Sequence, residues 1–176
     1  MSTPTADTGL VILHLGLGSF HRAHQAVYLQ QLLDAGDMRW TLAGTNLRPD
    51  MADVVQALAA QGGAYTLETV SPAGERKYQR ITAIREVIAH APGLAPMLAR
   101  GADPATRIVS FTVTEAGYYL DSDHRLDTTQ PELAADIARA RRGEAGETIY
   151  GAVAAILRAR RAAGAGPLTL LNCDNL

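Results

Sequence analysis

Lysine and cysteine are almost missing from this sequence: Lys77 and Cys173 are the only residues of their kinds among 176. A lone cysteine excludes an intramolecular disulfide and a multi-cysteine zinc cage, so the core has to hold itself together by packing. A lone lysine leaves almost no ammonium for catalysis. The Lys+Arg count of 16, less that one lysine, leaves 15 arginines, a balance read here as compositional bias rather than chemistry. No apolar run approaches the ~18 consecutive residues of a membrane-spanning helix, and the stretch from Met1 to Gly9 lacks the cationic start and apolar middle of a secretory signal. The cytoplasm is therefore the expected compartment. A net charge of -2 supplies no basic surface to neutralise phosphates in number, so neither a nucleic acid nor a membrane is an expected partner.

What is present makes a core. The chain is 47% hydrophobic, which excludes a disordered tail, and its 16 glycines follow no regular period, which excludes collagen. The length suits one domain that withdraws roughly 70% of its extended surface from water.

Leu10-Val11-Ile12-Leu13-His14-Leu15 is a short and nearly continuous apolar run, as expected of a strand buried on both faces. It ends at Gly16, and a helical pattern carrying Phe20, Ala23, Val27, Leu29, Leu32 and Leu33 follows up to Gly36. Trp40 to Ala43 reads as a second strand, Gly44 to Arg48 as a loop, and the region from about Asp50 to Ala60 as a helix closed by Gly62-Gly63. Tyr65 to Arg80 alternates about a Ser71-Pro72-Ala73-Gly74 turn and reads as a β-hairpin inserted at the sheet's edge. A short helix near Leu94 to Ala99, a strand from Arg107 to Val113, helices from Pro131 to Arg141 and Glu147 to Ala163, and a strand from Leu168 to Leu171 complete the pattern. Alternating strands and helices predict an α/β, doubly wound, mostly parallel sheet. Ligands of such sheets bind outside the carboxyl ends of the strands. The segments after Leu15, Ala43, Val113 and Leu171 are thus expected to meet at one crevice.

Gly16-Leu17-Gly18-Ser19-Phe20-His21 supplies the first two glycines of a dinucleotide fingerprint in the strand-to-helix context it requires. A bare Gly18 would let a diphosphate reach the first amides of the helix. His21 stands where the third glycine belongs, and a turn without ligand is the alternative. The second strand ends without a carboxylate. Asn46 or Asp50 could bind the adenosine ribose, whereas Arg48 could face a 2′-phosphate, so NAD and NADP are both admitted. Asp50, between Pro49 and a helix, also suits an N-cap. His21 and His24 are spaced for a shared metal, but no third ligand accompanies them and packing roles are favoured. Arg22 suits either a phosphate or solvent, and His14 a core histidine with a hydrogen-bond partner. Glu115, after the Arg107 to Val113 strand, could relay a proton. Asp174 and Asn175 end the last strand, where amide donors could stabilise a developing alkoxide.

Three segments in order resemble the mannitol dehydrogenase family, which includes arabinitol dehydrogenases and fructuronate and tagaturonate reductases. They are Gly16 to Ala26 (GLGSFHRAHQA), Thr114 to Tyr118 (TEAGY) and Cys173 to Leu176 (CDNL), and the resemblance spans about residues 10 to 176. It implies a Rossmann-like domain and a zinc-independent hydride transfer between NAD, or NADP, and a sugar alcohol, keto-sugar or hexuronate. By this resemblance Gly16, Gly18, Ser19 and Phe20 belong to the cofactor loop, with Asn46, Arg48 and Asp50 at its adenosine end. Glu115 lines a proton route, and Asn175 holds the substrate oxygen. Ala116 and Asn46 depart from the family pattern. By the same resemblance, family members continue into a helical domain with a lysine base; this chain is expected to lack that domain, and Lys77 in the hairpin is not expected to replace the base. The expectation is a cofactor-binding fragment, catalytically silent alone. A non-catalytic nucleotide-binding module is the alternative, and an S-adenosylmethionine methyltransferase is a weaker one.

Overall fold

The computed structural model describes residues 9–174, apart from the side chain of Glu115. Five strands form one parallel sheet: β1 (Leu10–Leu15), β2 (Trp40–Thr45), β5 (Ile84–Ile88), β6 (Thr106–Phe111) and β7 (Thr169–Asn172). Their spatial order is β5-β2-β1-β6-β7. The chain runs outward from β1 through β2 and β5, then returns to β1's other side with β6. The direction of winding therefore reverses between β1 and β6, the topological switch point where such sheets open a crevice.

Register brings the strand ends into line. Leu15 of β1 lies opposite Thr45 of β2 and Phe111 of β6, and Phe111 lies opposite Asn172 of β7. The expected convergence follows, because each strand hands its chain to a loop at the same level.

Burial on both faces explains the apolar run of β1. Val11, Leu13 and Leu15 pack with Met97, Ala152 and Ile156, which lie on α4 (Ala95–Ala102) and α6 (Ile149–Ala162). Ile12 faces the other side, with Leu29 of α2 (Gln25–Asp34) and Val55 and Leu58 of α3 (Ala52–Ala60). The first helix is in fact two: α1 (Ser19–Ala23) ends at His24, whose φ of -124° and ψ of -84° break the helical path before α2 begins. The remaining helix is α5 (Pro131–Arg141).

The hairpin forms, with β3 (Tyr65–Val70) antiparallel to β4 (Arg76–Ile81) and Gly74 N–H donating to the Ser71 carbonyl in its turn. It does not join the edge of the main sheet as expected. It is a separate two-stranded sheet held to the helical layer: Tyr65 OH donates to the Arg22 carbonyl at 2.6 Å, and the Gln30 side chain accepts from the Thr82 N–H at 2.6 Å. The edge beside β2 belongs instead to β5, a strand the sequence pattern did not reveal. Its Arg85 and Glu86 interrupt the apolar run, but Glu86 pairs with Arg100 on the adjoining helix.

Candidate functional site

A cleft of about 700 Å³ opens at the carboxyl ends of β1, β2 and β6. Its floor is the turn after β1. Gly16 adopts φ +132°, a backbone state that side chains disfavour, and its N–H donates to the Thr45 carbonyl at 2.7 Å. Leu17 then turns inward and is fully buried. It lies directly on Gly44, where an added Cβ would overlap the Leu17 side chain. The Leu17 N–H donates to Asn46 Oδ1 at 2.7 Å. The glycine turn is thereby fastened to the end of β2 at two points.

Gly18 is different. Its φ of -65° suits any residue, and a Cβ built on it meets nothing within 4 Å. Nothing inside the chain requires glycine there; the space above it is the open cleft. Hydrogen bonding within α1 starts with Arg22 N–H to the Gly18 carbonyl at 3.2 Å, so the amides of Ser19, Phe20 and His21 have no acceptor in the helix. Ser19 and Phe20 are exposed on the cleft lining.

His21, at the third-glycine position, points down rather than out. It and His14 are buried side by side beneath the turn. His14 Nδ1 lies 2.8 Å from Ser110 Oγ, which itself donates to Gln25 Oε1 at 3.1 Å. A hydroxyl has one proton, so Ser110 accepts from His14 Nδ1–H, and His14 Nε2 is the bare nitrogen. Burial drives the His14 pKa down to about 2, helped by the neighbouring His21, and the His21 pKa down to about 4. The expected core role of His14 is what the structure has. The metal reading of His21 with His24 fails on geometry: the exposed His24 ring stacks on Phe20 and its Nδ1 donates to the Phe20 carbonyl, whereas His21 faces the interior. Arg22 is half-buried and off the cleft lining. Its Nε donates to the Leu17 carbonyl at 3.2 Å, and its guanidinium sits over the Tyr65 ring.

On the β2 side, Asn46 divides its amide. Its oxygen is committed to Leu17, and its nitrogen has no hydrogen bond among the described residues. Asp50 lies exposed in a 3-10 turn, Pro49–Met51, and caps nothing: the residue preceding α3 is Met51, without a side-chain cap. The N-cap reading is thus replaced by a free carboxylate on the cleft lining. Arg48 is also on the lining, but its guanidinium crosses to Glu132 Oε2 at 3.0 Å, with the Tyr119 hydroxyl 3.5 Å away. The Tyr119 hydroxyl also donates to Glu132. Neither Tyr119 nor Glu132 was singled out by sequence. The available signal, an acid just after Pro131, marks any helix first turn.

On the β6 side, Thr112 to Thr114 line the cleft, with Ala116 and Gly117 of the 3-10 turn Glu115–Tyr118. The Glu115 side chain, and Asn175 altogether, lie outside the described residues. Asp174 ties the end of β7 back, accepting the Val113 N–H at 2.6 Å. Cys173 is half-buried, and burial pushes its thiol pKa up, against a nucleophilic role. Lys77 is exposed on β4 and off the cleft lining.

A parallel, doubly wound sheet with a glycine turn open at the switch point defines a Rossmann domain. Residues 10–176 match the mannitol dehydrogenase Rossmann domain, and the chain belongs to that family. It is 57% identical over 164 residues to D-arabinitol 4-dehydrogenase of Klebsiella pneumoniae, covering 93% of this chain and 35% of the relative. It is 43% identical over 166 residues to mannitol 2-dehydrogenase of Cereibacter sphaeroides, covering 94% of this chain and 34% of the relative. Among solved structures, the Pseudomonas fluorescens mannitol 2-dehydrogenase ternary complex with NAD and D-mannitol superposes with a TM-score of 0.85 at 34% identity, covering 97% of this chain and 35% of that one. The chain thus spans about a third of the length of these relatives. No helix among the described residues is long and apolar enough to cross a membrane.

Proposed function

We propose that this domain binds a nicotinamide dinucleotide, NAD in the first place, as the N-terminal part of a polyol dehydrogenase or hexuronate reductase. The observation that carries the reading is Gly18, a glycine that the fold itself does not need, facing the cleft beside unpaired amides. A diphosphate there would lie on the turn from Gly16 to Phe20, where bare backbone permits close approach. Asp50 and the Asn46 amide nitrogen would take ribose hydroxyls at the end of β2. The solved complex of a relative with NAD and D-mannitol supports the choice of cofactor. When bound, the nicotinamide supplies the hydride acceptor. The chain's own groups bind and orient it, with Glu115 on the proton route and Asn175 at the substrate oxygen.

The substrate is a sugar alcohol, or its keto-sugar or keto-acid counterpart. The lysine base and the wall that positions substrate would come from a helical C-terminal domain, in keeping with the one-third span of the relatives. With Lys77 off the cleft, the 176-residue chain by itself is expected to bind without turnover, since positioning and general-base effects together supply many orders of magnitude in rate.

Titration calorimetry of the chain with NAD tests the reading, with Gly18→Val as the control. Binding by the parent chain and its loss in the variant, with the fold retained by circular dichroism, is the expected result. Equal binding by both would remove the diphosphate from this turn. A dehydrogenase assay on mannitol, arabinitol and fructuronate with and without a separately supplied C-terminal domain distinguishes an enzyme part from a module that only holds nucleotide.

A further inference from the structure

The one arginine on the cleft lining is already spoken for. Arg48 stands three residues beyond β2, at the strand end where dinucleotide domains hold the adenosine ribose and where an arginine ordinarily accommodates a 2′-phosphate. Its guanidinium instead meets Glu132, 84 positions later in the first turn of α5. The Tyr119 hydroxyl joins both groups. The other charged residues of the lining, among those described, are Asp50 and Glu147. One cation thus faces three carboxylates, a net of -2 where a 2′-phosphate would bring about two further negative charges.

We propose that Glu132 is a specificity-determining residue, which selects NAD over NADP by occupying Arg48 and presenting a carboxylate where the 2′-phosphate would lie. The inference rests on the dinucleotide reading of the cleft. Rejection by like charge is a common route to selectivity, since it penalises one ligand without tightening the other. Glu132 stays ionised in this position, because the Tyr119 hydroxyl bond and the Arg48 charge both hold its pKa below the ordinary value. The pair is more than a contact between neighbouring side chains: Arg48 and Glu132 also line a second hollow of about 450 Å³ beside the cleft. A guanidinium released from Glu132 therefore has room on either side.

The test is titration of the whole chain with NAD and with NADP in the parent and in Glu132→Gln, Arg48→Gln and the double variant. Arg48 and Glu132 side chains are 49% and 58% exposed, so loss of the pair should leave the fold intact, which a melting curve checks. The parent should bind NADP about tenfold or more weaker than NAD, a gap of about 1.4 kcal/mol or more. Glu132→Gln should close most of that gap by tightening NADP, with NAD changed by no more than about twofold. Adding Arg48→Gln should reopen it, because the freed guanidinium is the proposed source of the gain. Equal binding of both nucleotides by the parent, an unchanged ratio in Glu132→Gln, or a gain that survives removal of Arg48 would each overturn the proposal. Failure of the parent to bind either nucleotide would remove the dinucleotide site itself, and this proposal with it.

Discussion

The imidazole rings of His14 and His21 lie stacked, with centroids 3.7 Å apart and planes 14° from parallel. One comes from β1 and the other from the turn of α1, so the contact fastens the floor of the cleft to the sheet. The hydrogen-bond partners in this layer, Ser110 and Gln25, are neutral. A proton on either ring would therefore be a buried cation with no carboxylate bonded to it among the described residues.

Stability should consequently fall on mild acidification. The folded pKa values, about 2 for His14 and about 4 for His21, lie below the ordinary 6.5, so the unfolded chain takes up protons that the folded chain refuses. The full stability is present above about pH 6.5. It is lost as the pH drops, at up to about 1.4 kcal/mol per pH unit for each histidine, down to the folded pKa of that ring. Urea unfolding at pH 7.5, 6 and 5 reads this directly. His21→Leu should make the profile between pH 6 and 5 clearly shallower, leaving the His14 contribution, and a parent profile already flat there contradicts the assignment.

Asp136 should be among the costliest acidic residues to remove. Its buried carboxylate accepts the Glu147 N–H at 3.1 Å and the Thr148 N–H at 2.7 Å, and pairs with Arg139 at 2.9 Å. A Cβ on Gly146 or Gly151 would run into it. Burial pushes its pKa up, but the bonds from Thr148, Glu147 and Arg139 outweigh that and hold it below the ordinary carboxylate value. Asp136→Ala leaves the buried Thr148 N–H and the part-buried Glu147 N–H without their acceptor, for a loss of about 2–4 kcal/mol. A melting temperature lower by about 5–10 °C is expected. Since the folded pKa is depressed, the contribution is present above about pH 4 and lost as the pH falls further, so the parent and variant curves should converge in acid.

Arg160 organises the far end of the domain through carbonyls alone. It donates to Gly166, Gly101, Asp103, Ala165 and Pro167 at 2.6–3.2 Å. A planar fork of five N–H donors can serve such a ring of acceptors, whereas an ammonium cannot. Arg160→Lys should therefore cost nearly as much as Arg160→Met, about 2–3 kcal/mol in each case. Chemical denaturation of both variants checks this, and a harmless lysine replacement would show that charge alone suffices.

Gly44→Ala tests the seat of the glycine turn. The new methyl would displace Leu17 from its place over β2, at about 1–3 kcal/mol for overpacking. Leu17→Ala alone opens a cavity and should cost about 2–4 kcal/mol. The double variant should lose clearly less than the sum of the two, because the added methyl fills space that the smaller side chain vacates. Strict additivity in a denaturation cycle would show that the two residues do not share that space.

The fold was legible wherever burial is symmetric and punctuation is local. β1 is covered on both faces and so reads as an unbroken apolar run, and Gly16, Gly36 and Gly74 mark real turns with positive φ. β5 escaped because an edge strand can carry Arg85 and Glu86, whose charges find partners or solvent sideways. The hairpin was recognised as a hairpin but assigned to the wrong neighbour. Its turn is coded locally, and its docking depends on Tyr65 meeting Arg22 of α1 and Gln30 of α2 meeting Thr82, partners far apart in sequence.

At the site, sequence alone determined which residue types stand at each strand end: two glycines after β1, an amide and an arginine after β2. Strand period and turn chemistry are short-range and are written within a few residues. Only the tertiary structure decided what those residues touch. Asn46 is turned toward Leu17, His21 toward His14, and Arg48 toward Glu132. Each of these choices depends on which strand ends the crossovers set side by side, and on which charges that arrangement leaves unsatisfied. No local spacing carries that information.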